Sequence, residues 1–430
     1  MSGIILANPS YVLILDAHPI EDGRIQKHIR FLQEYEYTVY HIHFIPYIAD
    51  SNAEDGEYSL FGEKSWHVNL HWKIQRKVLR LINYLSLFSP LLTRKTIDVI
   101  RILDIPLDKC GIIHVHDPIL LPLAKKIQIE WLTQAKIVYD RHEVYEDMKR
   151  FAGIGGYRLF ERIARNSVSG VVVVSDRHKD AVSGLFPGAL VSTVPNFPMT
   201  AFINGKNVIN KVDSFSRTNP IICIYIGSLR RDLDRDIDLL LTLADAILME
   251  IPSACFFIGG PCDDEIVMEK MDKIQKKFQN RFSYIGEVPY DQLIRKTENA
   301  HIGFYLVKPD SSYLVPCSPN KIYEYLSCGV IPVIRADCDY KDKLQTCGLV
   351  YNQDASHKFI VDQLIALMKD PTQMSLFMRQ SMAIGSQLTY ESEALNYCKL
   401  YENLLISIKK SGKKEQYTPS TATSNKNDFE

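Results

Sequence analysis

The segment 318–329 carries charged residues at a spacing that could bind a nucleotide. Lys321 and Glu324 lie one turn apart in a predicted short helix, so their side chains share a face. The N-terminus of a helix gathers unpaired N–H groups and partial positive charge, which suit a phosphate, and a lysine adds a full charge. A glutamate one turn further can accept hydrogen bonds from two vicinal hydroxyls, as in a ribose. The simpler alternative is a solvated Lys–Glu pair on a surface helix.

The residues around this pair set the limits of the predicted helix. Ser318 is a good N-cap, Pro319 suits the first helical position and Gly329 suits the position after the helix. The apolar run 330–334 that follows is typical of a buried strand. A helix placed before a buried strand favours the nucleotide interpretation of Lys321 and Glu324.

The chain holds two series of strand-like apolar runs separated by helical segments. The first series comprises 11–15, 39–44, 112–115, 137–139 and 171–174. The second series comprises 221–226, 254–258, 282–285, 302–305 and 331–334. Runs rich in Val and Ile between helices indicate parallel sheets covered on both faces. The predicted fold is therefore α/β, with two Rossmann-like domains whose sheets face each other across a cleft, where ligands are expected.

The segment 195–220 has the proline-rich, polar composition of a linker. We therefore predict an N-terminal domain over 1–200, a C-terminal domain over 201–385, a C-terminal helix over 386–410 and a disordered polar tail over 411–430. Tyr397 and Tyr401, which recur at helical spacing near the end of the chain, are predicted to pack in the core.

Composition excludes several classes of protein. The chain has 430 residues, of which 46% are hydrophobic and 23% charged, and its net charge of -1 gives no overall attraction to nucleic acid. The nine cysteines form no CxxC pair, so neither a disulfide framework nor a zinc site is expected. No signal-peptide pattern or membrane-spanning run is present, and a reducing cytoplasm fits this composition.

Short motifs in a specific order give the chain a family resemblance. They are Asp22-Gly23-Arg24-Ile25, His114-Val115-His116-Asp117-Pro118, Tyr139-Asp140-Arg141-His142-Glu143, Val174-Ser175, Val194-Pro195-Asn196, Tyr225-Ile226-Gly227-Ser228-Leu229 and the segment 318–329. Across about residues 10–405 the chain resembles a GT-B glycosyltransferase and is most similar to glycosyltransferase family 4 (group 1). The resemblance implies a retaining hexosyltransferase that uses a nucleotide-sugar donor. No other cofactor is expected, and no metal is expected because the sequence shows no clear cluster of metal ligands.

The resemblance also implies which residues bind the donor. Glu324 matches the second glutamate of the family's E-x7-E motif, which holds the donor ribose, whereas Pro316 replaces the first glutamate. Arg235 is the candidate for the cation after the first C-terminal strand, with Arg231 as the alternative. The complete predicted donor set is Gly23, Gly227, Ser228, Arg235, Ser318, Asn320, Lys321 and Glu324.

Three residues are candidates for the catalytic chemistry. His116 matches the histidine of the family's His-(Glu/Asp)-Pro motif, which lies beside the transferring sugar. Glu143 follows a strand in a loop where it could act as a general base, and Asp22 is a second candidate base. His114 is predicted to face away from His116 and to be structural. Alternatively, His116 is satisfied by backbone groups and Glu143 belongs to a charged loop.

The segment 72–88 has the pattern of an interfacial helix. Apolar residues recur at helical spacing, and the same segment carries the basic residues Lys73, Arg76, Lys77 and Arg80. Such a helix can lie on an anionic membrane surface, although a helix that packs on the core with a solvated basic side is an equal alternative. Arg24 is predicted to lie on the acceptor side as well.

The leading functional hypothesis is therefore a glycosyltransferase that extends a surface polysaccharide on a glycan or lipid-linked acceptor. It would act in the cytoplasm, on the inner face of the membrane, without nucleic acid as a partner. One alternative is a nucleotide-sugar epimerase, an enzyme class that also uses two Rossmann-like domains. The other is a non-catalytic glycan-binding or partner-binding relative, which the absence of glutamate at Pro316 favours.

Overall fold

The computed structural model describes residues 11–17, 22–45, 56–60, 63–69, 90–116, 118–142, 156–216, 220–231, 234–288, 290–309 and 318–414. The predicted interfacial segment 72–88 lies outside these residues. Glu143, Pro316 and the tail from residue 415 also lie outside them.

An eight-stranded sheet forms the core of the N-terminal half. Its strands are β1 (Tyr11–Asp16), β2 (Val39–Ile45), β3 (Gly56–Leu60), β4 (Glu63–Asn69), β5 (Cys110–His116), β6 (Lys136–Arg141), β7 (Val168–Val173) and β8 (Leu190–Thr193). They are arranged in the order β3-β4-β2-β1-β5-β6-β7-β8. Neighbouring strands pair in parallel, apart from the antiparallel pair β3–β4 at one edge. The described helices of this half are α1 (Gly23–Glu34), α2 (Pro90–Ile102), α3 (Leu121–Glu130), α4 (Gly156–Ala164) and α5 (Lys179–Leu185).

A six-stranded parallel sheet forms the core of the C-terminal half. Its strands are β9 (Ile221–Ile226), β10 (Ala254–Gly259), β11 (Phe282–Tyr284), β12 (Ile302–Leu306), β13 (Ile331–Arg335) and β14 (Leu349–Tyr351), in the order β11-β10-β9-β12-β13-β14. The helices are α6 (Gly205–Ser214), α7 (Ile237–Glu250), α8 (Glu265–Phe278), α9 (Tyr290–Glu298), α10 (Asn320–Ser327), α11 (Lys341–Gln345), α12 (His357–Met368), α13 (Pro371–Gly385) and α14 (Tyr390–Lys414).

The predicted pair of parallel α/β sheets is confirmed. Strands such as β1 and β5 are buried along their whole length, because parallel strands have helices on both faces. The last helix, α14, returns to the N-terminal half and packs against β7, β8 and α1. One apolar cluster joins side chains of α1, α10 and α14, so the two halves share part of a core.

Two local predictions are wrong. The segment 195–220 is not a plain linker, because it contains α6, whose Val208 and Val212 are buried in the core of the C-terminal half. Ser318 is not the N-cap of α10: Pro319 takes that position, and the Ser318 hydroxyl bonds with the Tyr323 hydroxyl at 2.9 Å. Among the described residues, none of the helices is sufficiently long and apolar to cross a bilayer.

Gly329 ends α10 in the left-handed conformation that the sequence suggests. Its φ is +61°, and a Cβ at this position would lie 3.0 Å from the Val212 Cγ2 atom. An L-residue in this conformation is strained by about 1–2 kcal/mol. The glycine therefore sets the sharp turn from α10 into β13.

We predict that Gly329→Ala lowers the free energy of unfolding by about 1–2 kcal/mol, measured as a lower urea midpoint with an unchanged slope. Gly205→Ala is the matched control, because a Cβ there meets no atom within 4 Å and the residue is the first of α6. The control should leave stability unchanged or raise it by less than about 1 kcal/mol. Equal midpoints for the two variants would contradict the role of Gly329.

Candidate active site

A buried ion pair lies at the carboxyl end of the N-terminal sheet. Arg24 Nη2 lies 2.8 Å from Asp140 Oδ1, and Arg24 Nε also donates to this oxygen at 3.2 Å. The guanidinium donates further to the Val194 carbonyl at 3.1 Å and to Asn196 Oδ1 at 2.6 Å. Arg24, predicted on the acceptor side, is instead buried and ties α1 to β6 and to the segment after β8.

The charges of this pair are fixed by their mutual attraction. Burial alone would lower the pKa of Arg24 and raise the pKa of Asp140. The attraction outweighs burial, because the pKa of the guanidinium is raised and the pKa of the carboxyl is held well below its usual range. Asp140 is therefore an anion that can only accept hydrogen bonds.

Four histidines lie around Asp140: His28 of α1, His114 and His116 of β5, and His142 after β6. We term these four residues and Asp140 the histidine cluster. His28 Nδ1 lies 3.0 Å from His116 Nε2, and His116 Nδ1 lies 3.0 Å from His142 Nε2. His28, His114 and His116 have no exposed surface, whereas the His142 side chain is 11% exposed. His142 is thus the member of the cluster that reaches the surface.

The predicted separation of His114 from His116 is wrong. Residues two apart in a strand point to the same face, and the two rings lie 4.7 Å apart between centroids. Both rings also contact His28, at 4.3 Å from His114 and 5.1 Å from His116. His114 is therefore part of the cluster.

Two tyrosines of α14 contact the histidine cluster through their hydroxyls, although the sequence predicted only core packing for them. Tyr397 donates its hydroxyl to Asp140 Oδ2 at 2.7 Å. The Tyr401 hydroxyl lies 2.7 Å from His114 Nδ1 and 3.1 Å from His28 Nε2. Their rings are buried as predicted, but their hydroxyls serve the polar site.

The buried histidines are held as neutral imidazoles. Burial lowers the pKa of His28 and of His116 well below the usual range, and the neighbouring histidines add to this effect. Burial also lowers the pKa of His114, despite the attraction of Asp140. A neutral imidazole has one donor and one acceptor nitrogen, so the cluster can form a directed chain of hydrogen bonds.

The cluster also offers potential metal ligands, which the sequence did not indicate. The ligand atoms of His28, His114 and His116, and those of His116, Asp140 and His142, lie within 4.8 Å of one another. A metal requires a lone pair from every ligand, whereas ring nitrogens here pair with each other at hydrogen-bond distances. The cation of Arg24 beside Asp140 further opposes a dication. This arrangement favours a hydrogen-bonded network over a metal site.

Asp22 and Gly23 lie at the start of α1. Asp22 is the N-cap of this helix, and its Oδ1 accepts from the Arg24 backbone N–H at 2.8 Å and from that of Ile25 at 3.4 Å. Gly23 is the first residue of the helix and is buried. The candidate base Asp22 therefore already positions the helix that carries Arg24 and His28.

A second group of predicted residues meets at the carboxyl end of β9. The terminus of Lys321 lies against Gly227, since a Cβ on this glycine would be 2.7 Å from both Nζ and Cε. Arg235 stacks on the Tyr305 ring at 4.4 Å and forms an ion pair with Asp234. Gly227, Lys321 and Arg235 are all partly exposed, so they line an accessible surface.

Lys321 is the cation of this surface whose charge is least compensated. The pKa of Lys321 is lowered to about 8, chiefly by burial and then by the charge of Arg235, while Glu324 and Asp234 oppose the shift. Arg231, the alternative cation, is bound by Asp264 through contacts of 2.9 and 3.2 Å. Arg235 is also paired, with Asp234, but its charge acts on Lys321, so it is the better candidate for the partner of Lys321.

The remaining predicted donor residues lie around this surface. Ser228 is partly exposed, and its carbonyl accepts from the Tyr225 hydroxyl at 3.1 Å. Asn320 is the first residue of α10 and is partly exposed. Glu324 is 4% exposed and attracts the amines of Lys321 and of Lys27 from α1.

Asn196 connects the two groups of residues. Its side-chain carbonyl accepts from Arg24, and its amide nitrogen lies 3.5 Å from the Ser318 carbonyl, directly before α10. The sequence suggested this residue only as part of a short Val-Pro-Asn motif. The contact places the histidine cluster close to the predicted nucleotide helix across the two halves of the molecule.

Two facing Rossmann-like domains with a last helix that returns to the N-terminal domain constitute a GT-B fold. The chain resembles a sucrose-phosphate synthase from Thermosynechococcus elongatus with a TM-score of 0.67 and 13% identity, over 92% of this chain and 100% of that one. It resembles an α,α-trehalose-phosphate synthase (UDP-forming) from Burkholderia vietnamiensis with a TM-score of 0.62 and 10% identity, over 94% and 100% of the two chains. It resembles the Anabaena protein HepE in complex with UDP-glucose with a TM-score of 0.62 and 12% identity, over 93% and 100%.

These similarities confirm the predicted GT-B fold. No family model matches the chain, and no curated protein matches it in sequence. The resemblance to glycosyltransferase family 4 therefore stays a prediction.

We predict that Asp140→Asn lowers the free energy of unfolding by about 3–5 kcal/mol, because it leaves the buried charge of Arg24 without a counterion. Urea unfolding should show the loss. The double variant Arg24→Met, Asp140→Asn should lose less than the sum of the single variants.

The matched control is Glu34→Gln, which removes the carboxylate from the exposed Arg30–Glu34 pair and should change stability by less than about 0.5 kcal/mol. Additive losses in the double variant would contradict a coupled, buried ion pair between Arg24 and Asp140.

Proposed function

We propose that the protein is a glycosyltransferase that moves a sugar from a nucleotide-sugar donor to a glycan or lipid-linked acceptor in surface polysaccharide synthesis. The observation that carries this proposal is the contact between the end of Lys321 and the bare backbone of Gly227 at the carboxyl end of β9, with Arg235 near enough to lower the pKa of Lys321. A lysine against a glycine, with a second cation nearby, provides the charge and the close approach that a diphosphate requires. HepE has been solved in complex with UDP-glucose and with UDP and glucose, and the similar trehalose-phosphate synthase is UDP-forming, so UDP-glucose is the first donor to test.

The donor would lie along the start of α10. The helix N-terminus and Lys321 would contact the diphosphate, and Arg235 would neutralise its second charge. Asn320, at the start of the same helix, would also lie near the diphosphate, and Glu324 would take the ribose hydroxyls. Pro316 replaces the first glutamate of the family motif and lies outside the described residues. The contacts to the transferred sugar and the retaining outcome therefore rest on the family resemblance. The anomeric configuration of the product, read by NMR, tests the retaining outcome.

The first experiment is a panel of nucleotide sugars, with thermal shift for binding and product analysis with and without added acceptors. A glycosyltransferase should be stabilised by one donor and should release the nucleoside diphosphate faster with an acceptor. An epimerase would interconvert two nucleotide sugars without any acceptor. A chain that binds no nucleotide sugar would refute the proposal.

We predict that Lys321→Met weakens binding of the preferred nucleotide sugar by about tenfold to a hundredfold, because a charged hydrogen bond is lost. Gly227→Ala should also weaken binding, because the new methyl group displaces the flexible end of Lys321 at little cost in stability. Calorimetric titration measures both affinities. Lys296→Met, on the exposed end of α9, is the matched control and should bind as the parent does.

The same titrations should depend on pH. The pKa of Lys321 is about 8, so its charge is present below this value and is lost as the pH rises through it. Parent affinity should therefore fall between about pH 7 and pH 9, and Lys321→Met should be flatter over that interval. The pKa of Lys27 is also about 8, so its titration can affect the parent and the variant alike. Only the difference between the two pH profiles therefore reports on Lys321. Identical pH profiles would contradict contact between Lys321 and the diphosphate.

The membrane-proximal acceptor is supported by the basic and apolar pattern of residues 72–88. We predict that the protein sediments with vesicles containing anionic lipid and is released by salt, since the screening length falls from about 10 Å at 0.1 M to about 3 Å at 1 M. Replacing Lys73, Arg76, Lys77 and Arg80 by glutamine should abolish this binding. The matched control replaces the basic residues of the surface helix α8 by glutamine, namely Lys270, Lys273, Lys276 and Lys277. A parent protein that ignores these vesicles at low salt would refute the membrane contact.

A further inference from the structure

The outward face of α4 carries arginines without acidic partners. Arg158 and Arg162 lie one turn apart on this helix, and Arg165 follows directly after its end. All three are exposed, and within the described part of the chain no carboxylate pairs with any of them. Leu159 lies one turn before Arg162, on the same side of the helix, and is 41% exposed. We term these four residues the α4 surface.

The acidic residue of α4, Glu161, points inward. It is fully buried, and its Oε1 accepts from Arg141 Nε at 2.8 Å and from the Tyr139 hydroxyl at 3.1 Å. Phe160 and Ala164, also buried, belong to the core of the N-terminal half. The inward face therefore anchors the helix and uses its negative charge, so the charged residues of the outward face are all positive.

Basic residues on a surface helix of the other half are largely neutralised, in contrast to those of the α4 surface. On α8, Lys270 Nζ lies 2.6 Å from Asp238 Oδ1, and Lys277 Nζ lies 2.8 Å from Asp245 Oδ1. A carboxylate at such a distance cancels most of the field that a more distant anion would meet. The α4 surface keeps its field, so it can attract an anionic partner although the net charge of the chain is -1.

An anionic lipid surface fits this combination of charge and apolar side chain. Guanidinium groups bind phosphate oxygens through two N–H donors at once, and an exposed leucine is stabilised when it leaves water. Interfacial helices combine the same two features, basic residues for the headgroups and a large apolar residue for the acyl boundary. A nucleic acid backbone would pair with the arginines but would leave Leu159 in water.

The α4 surface begins on the side of the N-terminal sheet where the candidate site lies. α4 connects the parallel strands β6 and β7, so it runs back from their carboxyl ends toward their amino ends. Its first turn, with Arg158, therefore lies toward the carboxyl end of β6, where Asp140 and His142 are found. A membrane bound to this surface would lie beside that edge of the sheet.

We propose that the α4 surface binds the headgroups of an anionic membrane and thereby places the candidate site beside acceptors embedded in it. Arg158, Arg162 and Arg165 contact lipid phosphates, and Leu159 enters the boundary between headgroups and acyl chains. The inference rests on the membrane-proximal acceptor of the proposed function. It requires neither the segment 72–88 nor glycosyl transfer itself.

Sedimentation of the full chain with vesicles tests the arginines without an activity assay. The vesicles contain phosphatidylcholine and phosphatidylglycerol in equal parts, at about 0.1 M salt, where the screening length is about 10 Å. Each basic residue near an anionic surface contributes about fivefold to binding. The single variants Arg158→Gln, Arg162→Gln and Arg165→Gln should therefore each bind about fivefold more weakly than the parent, and the triple variant about a hundredfold more weakly.

The matched control for the triple variant removes three exposed lysines from the C-terminal half: Lys206→Gln, Lys273→Gln and Lys358→Gln. It has the same change in net charge and should lower vesicle binding by less than about threefold, because charges beyond the screening length contribute little. Exposed substitutions seldom alter stability, so both triple variants should keep the urea midpoint of the parent and its affinity for the preferred nucleotide sugar. Equal binding by the two triple variants would overturn the α4 surface.

Leu159 distinguishes lipid from a soluble polyanion. Leu159→Asn should weaken binding to the same vesicles by about threefold to tenfold, because less apolar surface leaves water. Leu376→Asn on α13, a residue 46% exposed, is the matched control and should bind as the parent does. Parent-like vesicle binding by Leu159→Asn, together with retention on heparin that only the arginine variant loses, would indicate a soluble acidic partner and would overturn the lipid surface.

The outcomes also separate this inference from the proposed function. A parent protein that ignores anionic vesicles would overturn the α4 surface, while the panel of nucleotide sugars would still decide glycosyl transfer. A parent protein that transfers no sugar but loses its vesicle binding with the arginines would refute the enzyme and support the α4 surface. Vesicle binding that survives the arginine triple variant and is lost only on replacement of Lys73, Arg76, Lys77 and Arg80 would overturn it.

Discussion

The ion pair between Arg24 and Asp140 is the constraint on which the candidate site depends. Both charges are withdrawn from water, so each is tolerable only while the other is in contact and the remaining donors and acceptors are satisfied. Those partners come from separate parts of the chain, namely Asn196 and Tyr397 in addition to α1 and β6. The pair therefore requires α1, β6, the segment after β8 and α14 to meet in one arrangement. The geometry of the histidines follows from that requirement.

One contact between the two domains is made by a residue that is bonded to the Arg24–Asp140 pair. Asn196 accepts from Arg24 and contacts the Ser318 carbonyl directly before α10, so it joins the ion pair to the helix predicted to bind the donor. A second, exposed connection is made by Arg177, which lies 3.5 Å from both Asp337 and Asp339 after β13. The exposed pairs contribute little energy, because solvent screens them. The relative placement of the two halves is therefore set by the partly buried Asn196 contact together with the apolar cluster that α1, α10 and α14 share.

The fold could be predicted from the sequence because its signals are local. The Ile-rich apolar runs that become β9 and β13 are almost continuous, and Gly329 marks the end of α10. The short edge strands β8 and β14 were not predicted, because a few residues at a sheet edge have weak periodicity.

The candidate site was only partly predictable, since its contacts join distant parts of the chain. Lys321 and Gly227 were predicted to bind the donor because each belongs to a short motif, and the structure places the two in contact. Tyr397 and Tyr401 were predicted as core residues from their helical spacing, which correctly indicates their burial. Spacing cannot show that a hydroxyl at the tip of a buried ring meets Asp140, more than two hundred positions earlier in the chain. Only the tertiary structure supplies that information.

Three cations, Arg24, Lys321 and Lys27, show how the pKa and the accessibility of a side chain together distinguish a candidate ligand-binding residue from a structural one. The pKa of Arg24 is raised because its carboxylate partner is already present, so this cation has no requirement for a ligand. The pKa of Lys321 is lowered to about 8 beside an accessible glycine, so an incoming anion would regain the energy that burial costs. Lys27 has a similarly lowered pKa, but it is buried and its amine donates to the Phe197 carbonyl at 2.8 Å. A lowered pKa alone would therefore point equally to Lys27 and Lys321, and accessibility favours Lys321 as the residue proposed to contact a ligand.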